Sequence, residues 1–296
     1  NGHSVTLTEP YNFKLLKKLN SKKNNHPSLN INLPKKLKIN KFSSDILNRK
    51  WDLIVIAVSS IGIDLIGKNL SKIKNKSPIL VLTKGLKLDG RNLISMSSLL
   101  RKYNKNLNIS VLKGPCLAKE LARKVKSFTV VANKNINTAK KIGKLISTNY
   151  YQTEFSRDVN GVEFLSAIKN IYSMIIGAGQ WHNTSSALFR KSIDEMKYLA
   201  NYFKGKKETV YGLAGLGDLY VSAMGGRNSK MGEYLGKGYT FTRAKKKFMK
   251  NDTVEGADLA IEIAPFVFKK INKRKVPLMI SLLEAIVKNK KLKIKY

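Results

Sequence analysis

Two apolar runs, WDLIVIAVSS at 51–60 and SPILVLTKG at 77–85, constrain the fold more than any other feature of the chain. Each is continuous and of strand length, so each reads as a strand buried on both faces, and such strands belong to parallel sheets covered by helices. Ile61 to Leu70 between them reads as a helix. The alternation continues with a helix over 93–103, a strand over 108–112 running into Gly114-Pro115, a helix over 119–126, a strand over 128–132 and a helix over 138–146. Upstream, 4–8 resembles a short strand stopped by Glu9-Pro10, 11–19 a helix, and 20–41 a polar excursion rich in Lys and Asn around Pro27 and Pro34. This order predicts an α/β domain with a doubly wound parallel sheet over 1–155. After Ser156 strand-like runs cease. Helices are predicted over 158–178, 184–202, 209–223, 230–236, 241–249, 255–270 and 276–288, giving an all-helical domain over 156–296.

Charge enters because it suggests a rival reading. The formal net charge is +37, from 56 Lys and Arg against 19 Asp and Glu, which invites a nucleic-acid role. The excess is nearly all Lys and is scattered over nearly every polar segment, without a stripe of Arg and aromatic residues. Lys, Asn and Ile together are what an AT-rich coding sequence favours. The charge therefore argues for nonspecific attraction of polyanions and of an anionic substrate, and against a specific nucleic-acid partner. No apolar run approaches the roughly eighteen residues that span a bilayer, so no transmembrane segment is expected. The single cysteine, Cys116, excludes an internal disulfide framework and favours a cytoplasmic setting. His3, His26 and His182 have no metal-ligand spacing, so no metal is expected.

Gly161 to Asn183 breaks the chain's own charge rule. Between Arg157 and Arg190 its only cation is Lys169, among Leu165, Ile168, Tyr172 and Ile175 at helical spacing. Glu163, Ser166, Lys169 or Asn170, and Ser173 form one polar stripe along that helix. A buried ammonium is costly unless it is paired or its pKa drops, so Lys169 either satisfies Glu163 or faces a cleft. A second isolated charge is Asp218, the only one between Glu208 and Arg227, at the end of the Gly-rich GLAGLGD turn. Arg227-Asn228 follows Gly225-Gly226 at what reads as a helix N-terminus, a combination suited to phosphate or to a simple cap.

Taken in order, TKGL at 83–86, GPCLAKELA at 114–122, GVEFLSAIKN at 161–170, GLAGLGDLY at 212–220, GGRN at 225–228 with MGEYLGKG at 231–238, and TVEG at 253–256 resemble the NAD(P)-dependent sn-glycerol-3-phosphate dehydrogenases of the bacterial soluble type. The resemblance covers essentially the whole chain. It implies a Rossmann-like fold and reversible hydride transfer between a nicotinamide ring and C2, interconverting dihydroxyacetone phosphate and sn-glycerol 3-phosphate for phospholipid synthesis. By its motif, Lys169 would be the general acid/base. Lys84 would lie near both substrate and nicotinamide, depressing the Lys169 pKa and stabilising charge on oxygen. Asn170 would orient substrate or Lys169, and Asp218 would bond a substrate hydroxyl or Lys169. Arg227 and Asn228 would hold the phosphate, with Gly226 in the same loop and Arg227 also near the cofactor.

In the same resemblance Gly114, Cys116 and Ala118 contact substrate and cofactor, Cys116 standing where a hydroxyl residue is usual. Thr253 and Glu255 approach the cofactor, and Glu9 would bond the adenosine ribose, which tilts the cofactor from NADP toward NAD. A homodimer is the assembly considered. The chain begins with Asn1, and the family's GxGxxG turn and first strand are expected before Gly2, so the sequence reads as N-terminally truncated. The segment between Asn170 and Asn183 reads as a few residues shorter than the family pattern, and that from Asp218 to Arg227 as one shorter. The alternatives are a related dehydrogenase acting on another small phosphorylated or acidic substrate, an inactive fragment, and a basic polyanion-binding protein.

Overall fold

A computed structural model describes residues 2–21, 25–26, 29–73 and 76–295. The chain opens with β1 (Thr6–Glu9) and α1 (Phe13–Leu19), then the short strands β2 (Asn25–His26) and β3 (Ile31–Asn32), β4 (Lys38–Lys41) and the single turn α2 (Asp45–Asn48). Next come β5 (Ile54–Ile56), α3 (Ile63–Leu70), β6 (Ile79–Val81), the hairpin β7 (Leu86–Asp89) and β8 (Asn92–Ser95), α4 (Met96–Tyr103) and β9 (Ile109–Lys113). The sheet region ends with α5 (Ala118–Ala122), β10 (Ser127–Ala132), α6 (Ile136–Ile146) and β11 (Tyr151–Ser156). Seven helices follow: α7 (Val159–Gly177), α8 (His182–Tyr202), α9 (Asp218–Ala223), α10 (Arg227–Gly236), α11 (Phe241–Phe248), α12 (Glu255–Lys270) and α13 (Pro277–Val287).

Five strands form one sheet in the order β11-β10-β9-β6-β5. Ile56 pairs Val81 and Val81 pairs Val111 in parallel, and β10 pairs β11 in parallel from Ser127–Tyr151 to Ala132–Ser156. Between the two parallel parts β9 and β10 run antiparallel, Val111 opposite Ala132, so the sheet is mixed at that one junction. Its two faces are covered as the continuous apolar runs require. Ile63, Ile66 and Leu70 of α3 with Met96, Leu99 and Leu100 of α4 close one face, and Ala139 and Ile142 of α6 close the other.

β1 does not join that sheet. It pairs in parallel with β4, Thr6 opposite Lys38, so the polar excursion over 20–41 contains a strand that hydropathy alone did not mark. Pro27, the centre of that excursion, and Asn1, with which the chain begins, lie outside the described residues. A cavity of about 800 Å³ separates β1 from β5, lined by Thr6, Leu7 and Glu9 on one side and Ile54, Val55 and Ile56 on the other. Val55 and Leu7 are 49% and 40% exposed there, although strand apolar residues usually face a neighbour.

α7 joins the two halves. Asp158 caps it by accepting from Gly161 N at 2.9 Å, and the same carboxylate accepts from Lys206 N and Thr209 Oγ1 at 2.8 and 2.6 Å, tying the loop after α8 to the helix start. Val159 and Val162 belong to the core under the sheet, whereas Phe164 through Ile176 centre the core of the helical half. Of its 19 residues, 17 are buried, so α7 cannot carry the usual solvent-facing polar side, and each polar group on it needs an internal partner.

Candidate active site

The polar stripe of α7 is buried along its length, and each member has a partner. Glu163 Oε2 accepts from Ser95 Oγ at 2.7 Å and its Oε1 from Ser97 N at 3.0 Å, at the start of α4. That carboxylate anchors α7 to the sheet region and does not reach Lys169. Ser166 Oγ donates to Asp218 Oδ2 at 3.3 Å. Lys169, 6% exposed, donates from Nζ to Asp218 Oδ1 at 2.6 Å and to Ser222 Oγ. Asn170 Nδ2 donates to Glu255 Oε2 at 3.4 Å, and Ser173 Oγ to the Asn170 carbonyl at 3.0 Å.

Asp218 carries a second lysine. Lys84 Nζ, arriving from the end of β6, donates to Asp218 Oδ2 at 2.6 Å. A carboxylate that is 2% exposed therefore sits between two ammonium groups, one from the sheet half and one from the helical half. The Gly-rich segment before it explains how it reaches them. Leu213–Gly217 forms a π-type turn, wider than an α-helical turn, that feeds directly into α9 at Asp218, and such turns are frequent at functional sites. Burial pulls the Lys169 ammonium down to about 8, with the Lys84 charge helping and Asp218 opposing. An amine in that range can both donate and accept a proton near neutral pH.

Next to this pair a second cluster forms where α12 meets α10. Glu255, the first residue of α12, accepts from Arg227 Nη2 at 3.4 Å and from Asn170, while Asn228 Oδ1 accepts from Gly256 N at 2.9 Å. Gly256 permits this meeting, because a Cβ there would lie 2.6 Å from the Asn170 carbonyl oxygen. Arg227 heads α10 with Gly226 before it, so a forked cation and the first N–H groups of a ten-residue helix share one spot. That arrangement suits a phosphate dianion. Gly226 and Arg227 are exposed and Asn228 half-buried, so the spot is open to a ligand.

The GPC loop approaches from the sheet. Gly114 takes φ +137° and a Cβ on it would sit 3.2 Å from Thr129 Cα, so a side chain there would be strained. Cys116 Sγ points back to the Phe128 carbonyl at 3.8 Å and the Tyr151 hydroxyl at 3.9 Å, and burial pushes its thiol pKa up, which argues against a nucleophile. Ala118 starts α5 and is exposed, as are Thr253 and Glu255. Glu9 ends β1 on the wall of the cavity, its Oε1 accepting from Tyr11 N at 2.7 Å and Asn12 N at 3.0 Å. Ser59 lines the same cavity, and Ser60 beside it packs 3.2 Å from where a Cβ of Gly85 would be, which links the cavity to Lys84. Among the described residues no group of three His, Cys, Asp or Glu is placed to hold a metal ion.

Of the residues singled out by sequence, Lys84, Lys169 and Asp218 come into direct contact, and Asn170, Arg227, Asn228 and Glu255 form the adjoining cluster. Gly114, Cys116 and Ala118 lie on the sheet side, and Glu9 stands apart at the cavity. One hydroxyl was missed: Ser222, four residues beyond Asp218 on α9, where helical spacing from that charge would have pointed to it. Ser166, named in the polar stripe without a role, reaches Asp218 from three residues before Lys169 on α7.

Residues 1–139 match the family described as NAD-dependent glycerol-3-phosphate dehydrogenase N-terminus, and residues 158–294 the corresponding C-terminus. A glycerol-3-phosphate dehydrogenase [NAD(P)+] of Fusobacterium nucleatum is 31% identical over 266 residues, covering 86% of this chain and 78% of that protein. One from Clostridium botulinum is 34% identical over 203 residues, covering 66% of this chain and 61% of the relative's length. The crystal structure of glycerol-3-phosphate dehydrogenase from Coxiella burnetii superposes with a TM-score of 0.85 at 24% identity, covering 98% of this chain and 89% of that one, which is a likeness of fold. With two family matches covering both halves around one pair of lysines, the chain belongs to the NAD-dependent glycerol-3-phosphate dehydrogenase family.

Proposed function

We propose that this chain interconverts dihydroxyacetone phosphate and sn-glycerol 3-phosphate with NAD(P)H, and that the observation carrying this reading is Lys84 and Lys169 meeting on the two oxygens of Asp218. A bound nicotinamide cofactor supplies or accepts the hydride at C2. As hydride is added, negative charge grows on the carbonyl oxygen, and Lys169 Nζ donates the proton that neutralises it. Lys84 opposes the same charge from the sheet side, in a site where burial makes each cation count for more than in water. In the reverse direction neutral Lys169 takes the hydroxyl proton. Asp218 aims both amines, and Ser222 and Ser166 hold Lys169 and Asp218 in turn.

The substrate phosphate goes to Arg227, Asn228 and the N-terminus of α10, with Gly226 leaving room for it. Asn170, bonded through Glu255 to Arg227, orients the carbon chain between phosphate and amine. Gly114 and Cys116 wall the substrate from the sheet side. The polar, strand-end rim of the cavity, Glu9 with Ser59, fits a dinucleotide ribose, and Ala118, Thr253 and Glu255 are assigned to the same cofactor. A carboxylate at Glu9 repels a 2′-phosphate, so NAD is favoured over NADP. The product fits a role in phospholipid synthesis, the location is cytoplasmic and the assembly homodimeric; cell fractionation and sedimentation velocity test the last two. The division into a dinucleotide-binding part over 1–155 and a substrate part over 156–296 belongs to the same reading.

The deciding experiment compares the parent with Lys169→Ala, each expressed with whatever its reading frame encodes before Asn1. Reduction of dihydroxyacetone phosphate by NADH is expected to fall by about a hundredfold or more in the variant, the loss of a general acid. Turnover within a few-fold of the parent removes Lys169 from the chemistry, and a parent that turns over other oxo-acids in preference redirects the substrate.

A further inference from the structure

Beside Lys84 and Lys169 the site holds a third amine, fully buried, that the reaction above does not use. Lys113, the last residue of β9, is 1% exposed. Its Nζ donates to three successive carbonyls at the end of β6: Val81 at 3.3 Å, Leu82 at 3.1 Å and Thr83 at 2.6 Å. The register explains the reach, since β9 runs parallel to β6 with Val111 opposite Val81, and Lys113 lies two residues on. Thr83 is fixed from the other side as well, its Oγ1 donating to the Val58 carbonyl at 2.7 Å. The next residue is Lys84.

Carbonyls leaving a buried sheet need donors, and water or ligand usually supplies them. Here one ammonium, which has three donors, supplies all three, and charge-assisted bonds of this kind are stronger than neutral ones. The groups acting on Lys113 come from each neighbouring element: Glu163 on α7 and Asp218 on α9 favour its charge, and Lys84 opposes it. Burial outweighs them and brings the amine to about 8.

We propose that Lys113 is a positioning residue, holding the carbonyls of 81–83 so that Lys84 leaves the sheet at the height where its Nζ meets Asp218. Its importance for turnover rests on the proposed reaction; its hold on Lys84 does not. A side chain without donors leaves the three carbonyls to recruit water, and the 82–85 segment then drifts from Asp218.

Lys113→Met keeps the length and removes every donor, whereas Lys113→Gln keeps an amide for two of the carbonyls. Crystal structures of the parent and both variants read the Lys84 to Asp218 contact directly. The contact is expected to be lost with Met and kept with Gln. In turnover of dihydroxyacetone phosphate, kcat is expected to drop about tenfold or more with Met at nearly constant KM, with recovery in Gln, as for a misplaced catalytic group. Should the Met chain fail to fold, Lys113→Ser takes its place in both readouts. An unmoved Lys84 with Met, or equal kcat losses in Met and Gln that follow their melting temperatures, overturns the proposal. A parent inactive on dihydroxyacetone phosphate overturns the reaction alone, and the crystal comparison still decides the role of Lys113.

Discussion

Lys169 Nζ lies 2.6 Å from Asp218 Oδ1, and this pair is sealed from water on both sides, with the side chains 8% and 4% exposed. The lysine's drop to about 8 arises from that burial and from Lys84, so the pairing only partly restores its charge. In the proposed reaction reduction uses the protonated amine of Lys169, so kcat is expected to decline as pH rises through about 8, whereas oxidation uses the neutral amine and is expected to rise through the same range. Paired pH–rate profiles with opposite limbs check this, and parallel limbs exclude Lys169 as the shared group.

Asp218→Asn preserves the shape and leaves two ammonium groups facing a neutral amide. Removing one partner of a buried pair typically costs about 3–5 kcal/mol. Because Asp218 raises the Lys169 pKa, its loss moves the alkaline limb of reduction to lower pH. Urea denaturation gives the first quantity and a pH–rate profile the second. An unshifted limb means that Asp218 does not act on Lys169.

Arg227→Gln separates binding from folding. The Arg227–Glu255 pair is about half exposed on both sides, so its loss changes stability by less than about 1 kcal/mol. A charge-assisted bond to phosphate is worth about 1.5–3 kcal/mol, so KM for dihydroxyacetone phosphate is expected to rise by roughly ten- to a hundredfold. Initial-rate kinetics beside a thermal melt test both halves of the statement. A phosphate held elsewhere leaves KM unchanged.

Glu195 offers a test of stability remote from the chemistry. It accepts from Leu278 N at 2.6 Å, Met279 N at 3.0 Å and Tyr172 OH at 2.9 Å, joining α8 to the start of α13 and the middle of α7. Burial raises its carboxyl to about 7 despite these donors, above an unfolded value of 4.5. Between those pH values the folded chain binds more protons than the unfolded one, so the stability from this group is present at lower pH and is lost as pH rises through about 7. Melting temperatures over that range are expected to show the slope in the parent and to lose it in Glu195→Gln, which melts lower overall because its amide cannot accept all three bonds.

Gly256→Val forces a side chain toward the Asn170 carbonyl, 2.6 Å from the Cβ position. Overpacking of this kind costs about 1–3 kcal/mol, and here α12 must retreat from α7, taking Glu255 from Asn170. The expected result is a lower melting temperature together with a raised KM for the substrate. A melting change with unaltered KM detaches the Glu255 cluster from binding.

Much of this architecture was legible where a residue contradicted its surroundings. Lys169 and Asp218 stood out because each is a lone charge in an uncharged stretch, and burial then obliges them to find each other. β5, β6 and the helices packed on them followed from continuous apolar runs. β11 was not legible, because YQTEFS is an edge strand with half-exposed and exposed side chains and carries no apolar run. Most of β8 was absorbed into a helix predicted over 93–103, since Leu93 and Ile94 continue the helical spacing, and its partner β7 was assigned no element; the helix starts only at Met96, after Ser95 caps it. The antiparallel turn of β9 against β10 is set by chain path and no local pattern marks it. Helical periodicity over 209–223 likewise concealed the π-type turn, because its glycines break the spacing at the point where Asp218 must be presented.

The span of α7 across both cores makes it a protractor as well as a pillar. Val159 and Val162 set its angle from the sheet side, and Lys169 reads that angle two turns later. One residue inserted between Glu163 and Lys169 would turn the amine by about 100° around the axis. Composition and total burial would hardly change, yet Lys169 would face hydrocarbon where it now faces Asp218. The placement of Lys169 is therefore a matter of phase, and insertions in this helix are the changes the site can least absorb.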